Sequence, residues 1–354
     1  MLLRLLLAAC LGLGLSARLA LADEVADFYK GRTIQVVVGY GAGGGYDLHA
    51  RLLARHMGRH MPGNPTLVVQ SMPGAGSLRA ANYLYAIAPK DGTVLGIFAR
   101  NMPLLGLLGG NPAVQFDPRK FTWLGSSSSY TEDAYLMFVR PGARVKSIEA
   151  ARKPGGPLLV LGATGEGATG NDVAILLRDA LGLNLKLISG YPDSNALFIA
   201  IERGELDGRV TDMSSVRANR PHWYNKPDGA PPGMNLLLQF ARTTRHPDFP
   251  AVAMARELAT TERARAMIEM GEMPYLMSRP FVAPPGVPAP RAKALQDAFL
   301  AAFEDPELLA EAGKLQVGIS PVGAAEVLGQ IEKLARQPKE LFDYIRKLQD
   351  ANKG

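Results

Sequence analysis

Between Thr33 and Met61 a β-branched run, Thr33-Ile34-Gln35-Val36-Val37-Val38, gives way to five glycines between Gly39 and Gly45 and then to helical periodicity from Asp47 to about Met61. A strand ended by glycine and followed at once by a helix is the opening half of a βαβ unit. The rest of the unit follows, with Thr66–Val69 as a second strand, a Pro-Gly loop, a helix over Ser77–Ala88 and a third strand over Thr93–Phe98. Such units build a parallel sheet with helices on its faces. The rhythm resumes with strands over Ala134–Val139, Leu158–Gly162, Leu185–Ile188 and Gly208–Thr211, and helices over Asn171–Ala180 and Ser194–Arg203. Two alternating α/β units in one chain predict two lobes with a ligand cleft between them.

The last third differs. After the Pro/Gly-rich stretch Pro221–Met234 comes a strand, Leu236–Phe240, and then mostly amphipathic helix, with a strand and turn at Phe281–Gly286. The expected organisation is a leader over 1–22, a first lobe over 23–128 and 237–354, and a second lobe over 129–236. The C-terminal helices are expected to dock their apolar stripes partly on either lobe.

The leader is read from a basic start (Arg4), an apolar run through Leu21 and the small-x-small tripeptide Ala20-Leu21-Ala22, which predicts export and cleavage after Ala22. Leu7-Ala8-Ala9-Cys10 also resembles a lipoprotein box. Its apolar core of about five residues is short against the usual 7 to 15, so lipidation at Cys10 is the lesser alternative. Cys10 is the only cysteine, so a mature chain without it has no disulfide, no thiolate metal site and no cysteine nucleophile. Losing Arg4 and Arg18 with the leader leaves 37 basic against 33 acidic residues, a net of +4. With no Lys/Arg run and no stacking motif, that mild excess gives no reason to expect a nucleic-acid partner.

The first glycine turn, Tyr40, Gly41, Ala42, Gly43, Gly44, Gly45, Tyr46 and Asp47, lets backbone approach a ligand, and the helix behind it aims free N–H groups and a positive dipole end at the same spot. That is a cradle for a carboxylate or phosphate. Asp47 is expected either to cap the helix or to fix the loop or a bound water. A second turn, Pro73, Gly74, Ala75, Gly76 and Ser77, lies at the same sheet edge, and a third, Gly162 to Asn171, offers Thr164, Gly165 and Asn171 from the other lobe. Gly39, Gly41 and Gly44 also spell G-x-G-x-x-G, but the next strand ends in Gln70-Ser71 where a dinucleotide-binding domain wants an acid, so an exported dinucleotide enzyme is a distant alternative.

Arg32–Val38 with Gly43–Asp47, Pro73–Gly76, Ala88–Thr93, the Gly162–Asn171 loop, Gly204–Asp207, Pro247–Pro250, Ala283–Pro288 and Asp305–Glu307 together resemble the Bug (TctC) receptors of tripartite tricarboxylate transporters. The resemblance implies a two-lobed periplasmic binding protein of the Venus flytrap, type II-like, class that delivers a small carboxylate to an integral-membrane permease, acting as a monomer without cofactor. It also implies ligand contacts from Tyr40 to Asp47, Pro73 to Ser77, Thr164, Gly165 and Asn171, with Tyr191 and Asp212 as further contributors. Tyr46 departs from the small hydroxyl usual there. The stretch Pro221–Met234 is longer than the family norm, with Trp223 and Tyr224 either shaping a cleft wall or packing.

Enzymatic signals are missing: no G-x-S-x-G, no H-E-x-x-H and no mature thiol. His49, His56 and His60 fall on one helical arc, which reads as a boundary stripe rather than a metal site because no carboxylate stands beside them in sequence. No metal and no catalytic residue is expected. A ligand-binding co-receptor for a membrane sensor kinase is the remaining alternative.

Overall fold

The computed structural model describes residues 24–131, 133–224 and 233–352. The leader, its cleavage after Ala22 and Cys10 therefore lie outside the described residues, as do the middle of the Pro221–Met234 stretch and the Tyr224 side chain. The strands are β1 (Thr33–Val38), β2 (Thr66–Ser71), β3 (Val94–Ile97), β4 (Thr122–Ser126), β5 (Tyr135–Val139), β6 (Leu159–Gly162), β7 (Leu185–Ile188), β8 (Gly208–Asp212), β9 (Asn235–Phe240), β10 (Pro280–Ala283) and β11 (Val322–Gly323). They form a six-stranded sheet in the order β11-β4-β10-β3-β1-β2 and a five-stranded sheet in the order β7-β6-β8-β5-β9.

The β1 run is apolar without alternation because helices cover both its faces. Val36, Val37 and Val38 are fully buried, two of them in one core cluster and Val37 in the other. β1 pairs in parallel with β2 and β3, and β6 in parallel with β7 and β8. The sheets are not purely parallel as the βαβ rhythm predicts. The chain crosses between lobes and back, so β10 inserts antiparallel between β3 and β4, and β5 runs antiparallel to β8 and β9.

The crossing segments lie side by side. Ser127 N–H donates to the Arg279 carbonyl (3.1 Å), Ser278 N–H to the Ser128 carbonyl (3.0 Å) and Arg279 N–H to Ser126 Oγ (3.0 Å). The return to the first lobe is later than the expected boundary at 237. β9 pairs with β5, and Met267, Ile268 and Met270 of the helix Glu262–Glu272 pack with Val173 and Leu176 against the second sheet. A strand candidate alone does not say which sheet it joins, and the backbone of β5 had a free edge. Leu334 and Ile345 of the C-terminal helices also enter that second core, while Val327 and Ile331 pack into the first lobe. Trp223 packs edge-on against Phe138 and Phe198.

No helix among the described residues is long and apolar enough to cross a membrane. The first lobe is anchored by Phe281 on β10 against Phe299 and Phe303 of the helix Ala289–Glu304, with ring centroids 5.3 and 6.1 Å away. All three are fully buried or nearly so. Phe299→Ala leaves a cavity at that junction and is expected to cost about 3–5 kcal/mol, read as a lowered urea midpoint at unchanged slope.

Candidate functional site

The site is built at the carboxyl ends of β1, β2, β3 and β8. Gly39 continues the β1 register by donating to the Ile97 carbonyl (2.9 Å), and a Cβ there would fall 1.7 Å from Ser77 Oγ, so only glycine lets the two loops touch. The helix Gly45–His56 begins with Gly44 as its N-cap. Asp47 is therefore not the N-cap. It sits one residue short of a full turn inside, and its carboxylate reaches back to accept from Gly43 N–H (2.9 Å) and from Arg51 Nε (2.8 Å), which fixes the loop. Tyr46 stacks on Tyr40 at 4.8 Å, and its hydroxyl accepts from the Arg100 backbone N–H and from Arg100 Nε, both at 3.1 Å.

The second loop carries positive φ at Gly74, Ala75, Gly76 and Ser77 in succession. Ala75 and Ser77 are strained there, and Ser77 is held by donation from Ala99 N–H to its Oγ (3.1 Å). Gly76 meets the third loop directly: a Cβ on Gly76 would lie 2.5 Å from the Glu166 carbonyl. A side chain at this point would hold the lobes apart.

Two neighbouring cavities result. One of about 40 Å³ is walled by Tyr40, Gly41, Gly44, Gly45, Tyr46 and Arg100 from the first lobe and by Thr164, Thr169, Asp193, Ser194, Arg209, Thr211, Asp212 and Ser215 from the second. The other, about 320 Å³, is walled by Gly39, Tyr40, Pro73, Gly74, Ala75, Gly76, Ser77, Thr164, Gly190, Tyr191 and Pro192. The two glycine loops thus line adjoining spaces that share Tyr40 and Thr164. Gly165 abuts Gly76, and Asn171 has its side chain taken up by Asp172 and by Ser189 Oγ (2.7 Å).

Sequence reasoning named Asp212 but missed the arginines around it. Arg100 and Arg279 are each 1% exposed, and both donate to Asp212, Arg100 through Nη2 at 3.1 Å and Arg279 through Nη2 at 2.7 Å. Asp212 also takes Ser214 Oγ (2.7 Å) and Ser215 N–H (2.9 Å), capping the helix Met213–Asn219. Burial by itself would raise the Asp212 carboxyl, but Arg279 and Arg100 hold it well below the usual carboxylate range. Burial pushes Asp133, beside Ser214, up to about 6, with Asp212 adding to the rise. Burial likewise lowers Arg209 to about 10. The signal available in sequence was a lone Arg near a strand terminus, three times over, at Arg100 after β3, Arg209 at the start of β8 and Arg279 just before β10.

The histidine arc divides. His49 is buried at the crossing, its Nδ1 2.8 Å from Ser127 Oγ. His56 and His60 do have carboxylates beside them, supplied from far along the chain by Glu311 and Asp305. His56, Asp305 and Glu307 come within metal-binding distance of one another, but Arg59 already bridges Asp305 and Glu307, so the arrangement is an ion-pair network joining two helices.

No family model matches the chain. A curated relative, the UPF0065 protein in gbd 5'region of Cupriavidus necator, is 39% identical over 100 residues, which is 28% of this chain and 28% of that protein's length. The structure of the periplasmic binding protein BugD superposes with a TM-score of 0.68 at 19% identity, covering 90% of this chain and 99% of BugD. The fold is that of the Bug periplasmic binding proteins. MatC from Rhodopseudomonas palustris with bound malate superposes with a TM-score of 0.64 at 19% identity, over 88% of this chain and 99% of MatC. The two-lobed architecture and the Bug resemblance read from the motifs thus hold in three dimensions.

The buried crossing makes stability pH-dependent. Burial, then Arg279, lowers His49 well below its usual 6.5, so its imidazole is neutral in the fold. An unfolded chain takes up that proton near pH 6.5, so the stability contributed is present above this pH and is lost as pH falls. Between about pH 7.5 and about pH 5, the urea midpoint of His49→Gln is expected to fall less than that of the wild type.

Proposed function

We propose that this chain is a Bug-type receptor, exported to the periplasm, that captures a small carboxylate between its lobes and delivers it to the permease of a tripartite tricarboxylate transporter. The observation that carries this reading is the smaller cavity. It is enclosed by both lobes, opens onto the N-terminus of the helix Gly45–His56, and is lined by two buried guanidinium groups, Arg100 and Arg209. A helix N-terminus and buried cations both favour an anion, and enclosure by two lobes lets binding favour the closed population.

Binding chemistry suffices for these residues. Asp212 is held ionised by two arginines, His49 is neutral and hydrogen-bonded at the crossing, and Thr164, Thr211 and Ser215 add hydroxyl-bearing side chains to the cavity wall. The bound malate of MatC, a dicarboxylate in a protein of the same fold, supports the ligand class.

A thermal-shift screen over mono-, di- and tricarboxylates and amino acids identifies the ligand, and calorimetry then tests the site. Gly44 lines the cavity with φ of −84°, and a Cβ built there meets nothing within 4 Å, so a side chain brings no backbone strain and adds bulk beside the ligand space. Gly44→Val is expected to abolish binding with its urea midpoint unchanged, while His56→Ala, in the outer ion network, keeps wild-type affinity. Full-affinity binding by folded Gly44→Val places the carboxylate elsewhere.

A further inference from the structure

Arg209 lies on β8 and is 6% exposed, yet among the described residues no carboxylate oxygen stands within the 4.0 Å of an ion pair from its guanidinium. Its Nη1 reaches only the Ser194 carbonyl at 3.4 Å, its Nε has no partner, and the Phe198 ring lies 5.1 Å from its guanidinium carbon. Asp193 shares the cavity wall, with Oδ1 accepting from the Ala196 N–H at the start of the helix Ser194–Glu202 and Oδ2 lying toward Gly41. Arg100 stands in the same wall and also has a buried nitrogen without a partner, Nη1, whereas Asp212 is already shared between Arg100 and Arg279. Asp212 and Asp193 act on Arg209 only from beyond contact distance, and a buried guanidinium with no acid in contact is costly to the protein alone and is repaired by an incoming anion.

The cation does not stand where the second glycine loop does. Arg209 walls the smaller cavity and Gly74 to Ser77 wall the larger, with Tyr40 and Thr164 common to both. The two spaces therefore offer two anion-holding sets, backbone N–H groups on one side of Tyr40 and a guanidinium fork on the other. We propose that Arg209 is the specificity-determining residue for a ligand with two anionic groups, one carboxylate lying in the glycine loops and the second anionic group paired with Arg209. This rests on the carboxylate-receptor reading above.

The test is calorimetry with succinate, glutarate and adipate against the chain-matched monoacids butyrate, valerate and hexanoate. The wild type is expected to bind its best diacid on the order of a hundredfold more tightly than the matched monoacid. Arg209→Gln is expected to erase that ratio while leaving the monoacid within about threefold of its wild-type affinity. Equal affinities in the wild type overturn the proposal, and this comparison decides the matter even where the variant does not fold. Equal weakening of both ligands by Arg209→Gln also overturns it, because Arg209 then holds the shared carboxylate, as does a variant that changes neither. Binding of neither series at any concentration overturns the receptor reading together with the inference built on it.

Discussion

Asp212 is where the two lobes are tied electrostatically. It stands at the end of β8 in the second sheet and accepts from Arg100, just beyond β3, and from Arg279, just before β10, both on the first-lobe side. All three side chains are at most 5% exposed, so none is compensated by water. A buried ion pair contributes little net stability compared with apolar groups of the same shape, but removing one partner strands the other at a cost of about 3–5 kcal/mol. Separating the lobes therefore either hydrates all three groups or moves them as a unit. The same carboxylate caps the helix Met213–Asn219, so the position of the second lobe's inner wall is coupled to the ion cluster.

The aromatic residues at the cleft follow from this cluster. The Tyr46 ring does two jobs: it stacks on Tyr40 and lies 4.6 Å from the Arg279 guanidinium carbon. Its hydroxyl accepts from Arg100, which orients that guanidinium toward Asp212. Tyr135 and Tyr275 lie 4.8 and 5.1 Å from the Arg100 guanidinium carbon, so a fully buried cation is surrounded by π-faces as well as by its acid. What remains for a ligand is the part of the cation set that Asp212 does not consume.

The glycine loops were legible in the sequence because their requirement is local: a backbone that must take positive φ at Gly43 and Gly74, or admit Ser77 beside Gly39, leaves glycine in the chain wherever it occurs. The strands β1, β2, β3, β5 to β8 and β9 were legible for the same reason, being short apolar runs set off by glycine or by helix. β4, which is five residues long and ends in Gly125-Ser126, carried too weak a pattern, and the insertion of β10 beside it is decided by a chain reversal far away. The arginines were illegible for the opposite reason to the glycines. Arg100, Arg209 and Arg279 are isolated in sequence and become a cluster only when three strand ends meet, and an isolated arginine reads as a solvated surface charge. The carboxylates that meet His56 and His60 were hidden likewise, about 250 residues downstream, at Asp305 and Glu311.

The central claim is that an anion draws the two lobes together around a cleft whose closed form brings Gly76 against Gly165 and Asp212 between two arginines. Small-angle scattering on the mature protein, with and without a carboxylate that calorimetry shows to bind, measures this most directly. The account predicts that the loaded protein has the smaller radius of gyration and scatters as the closed structure does. An unchanged radius of gyration under saturating ligand would contradict it.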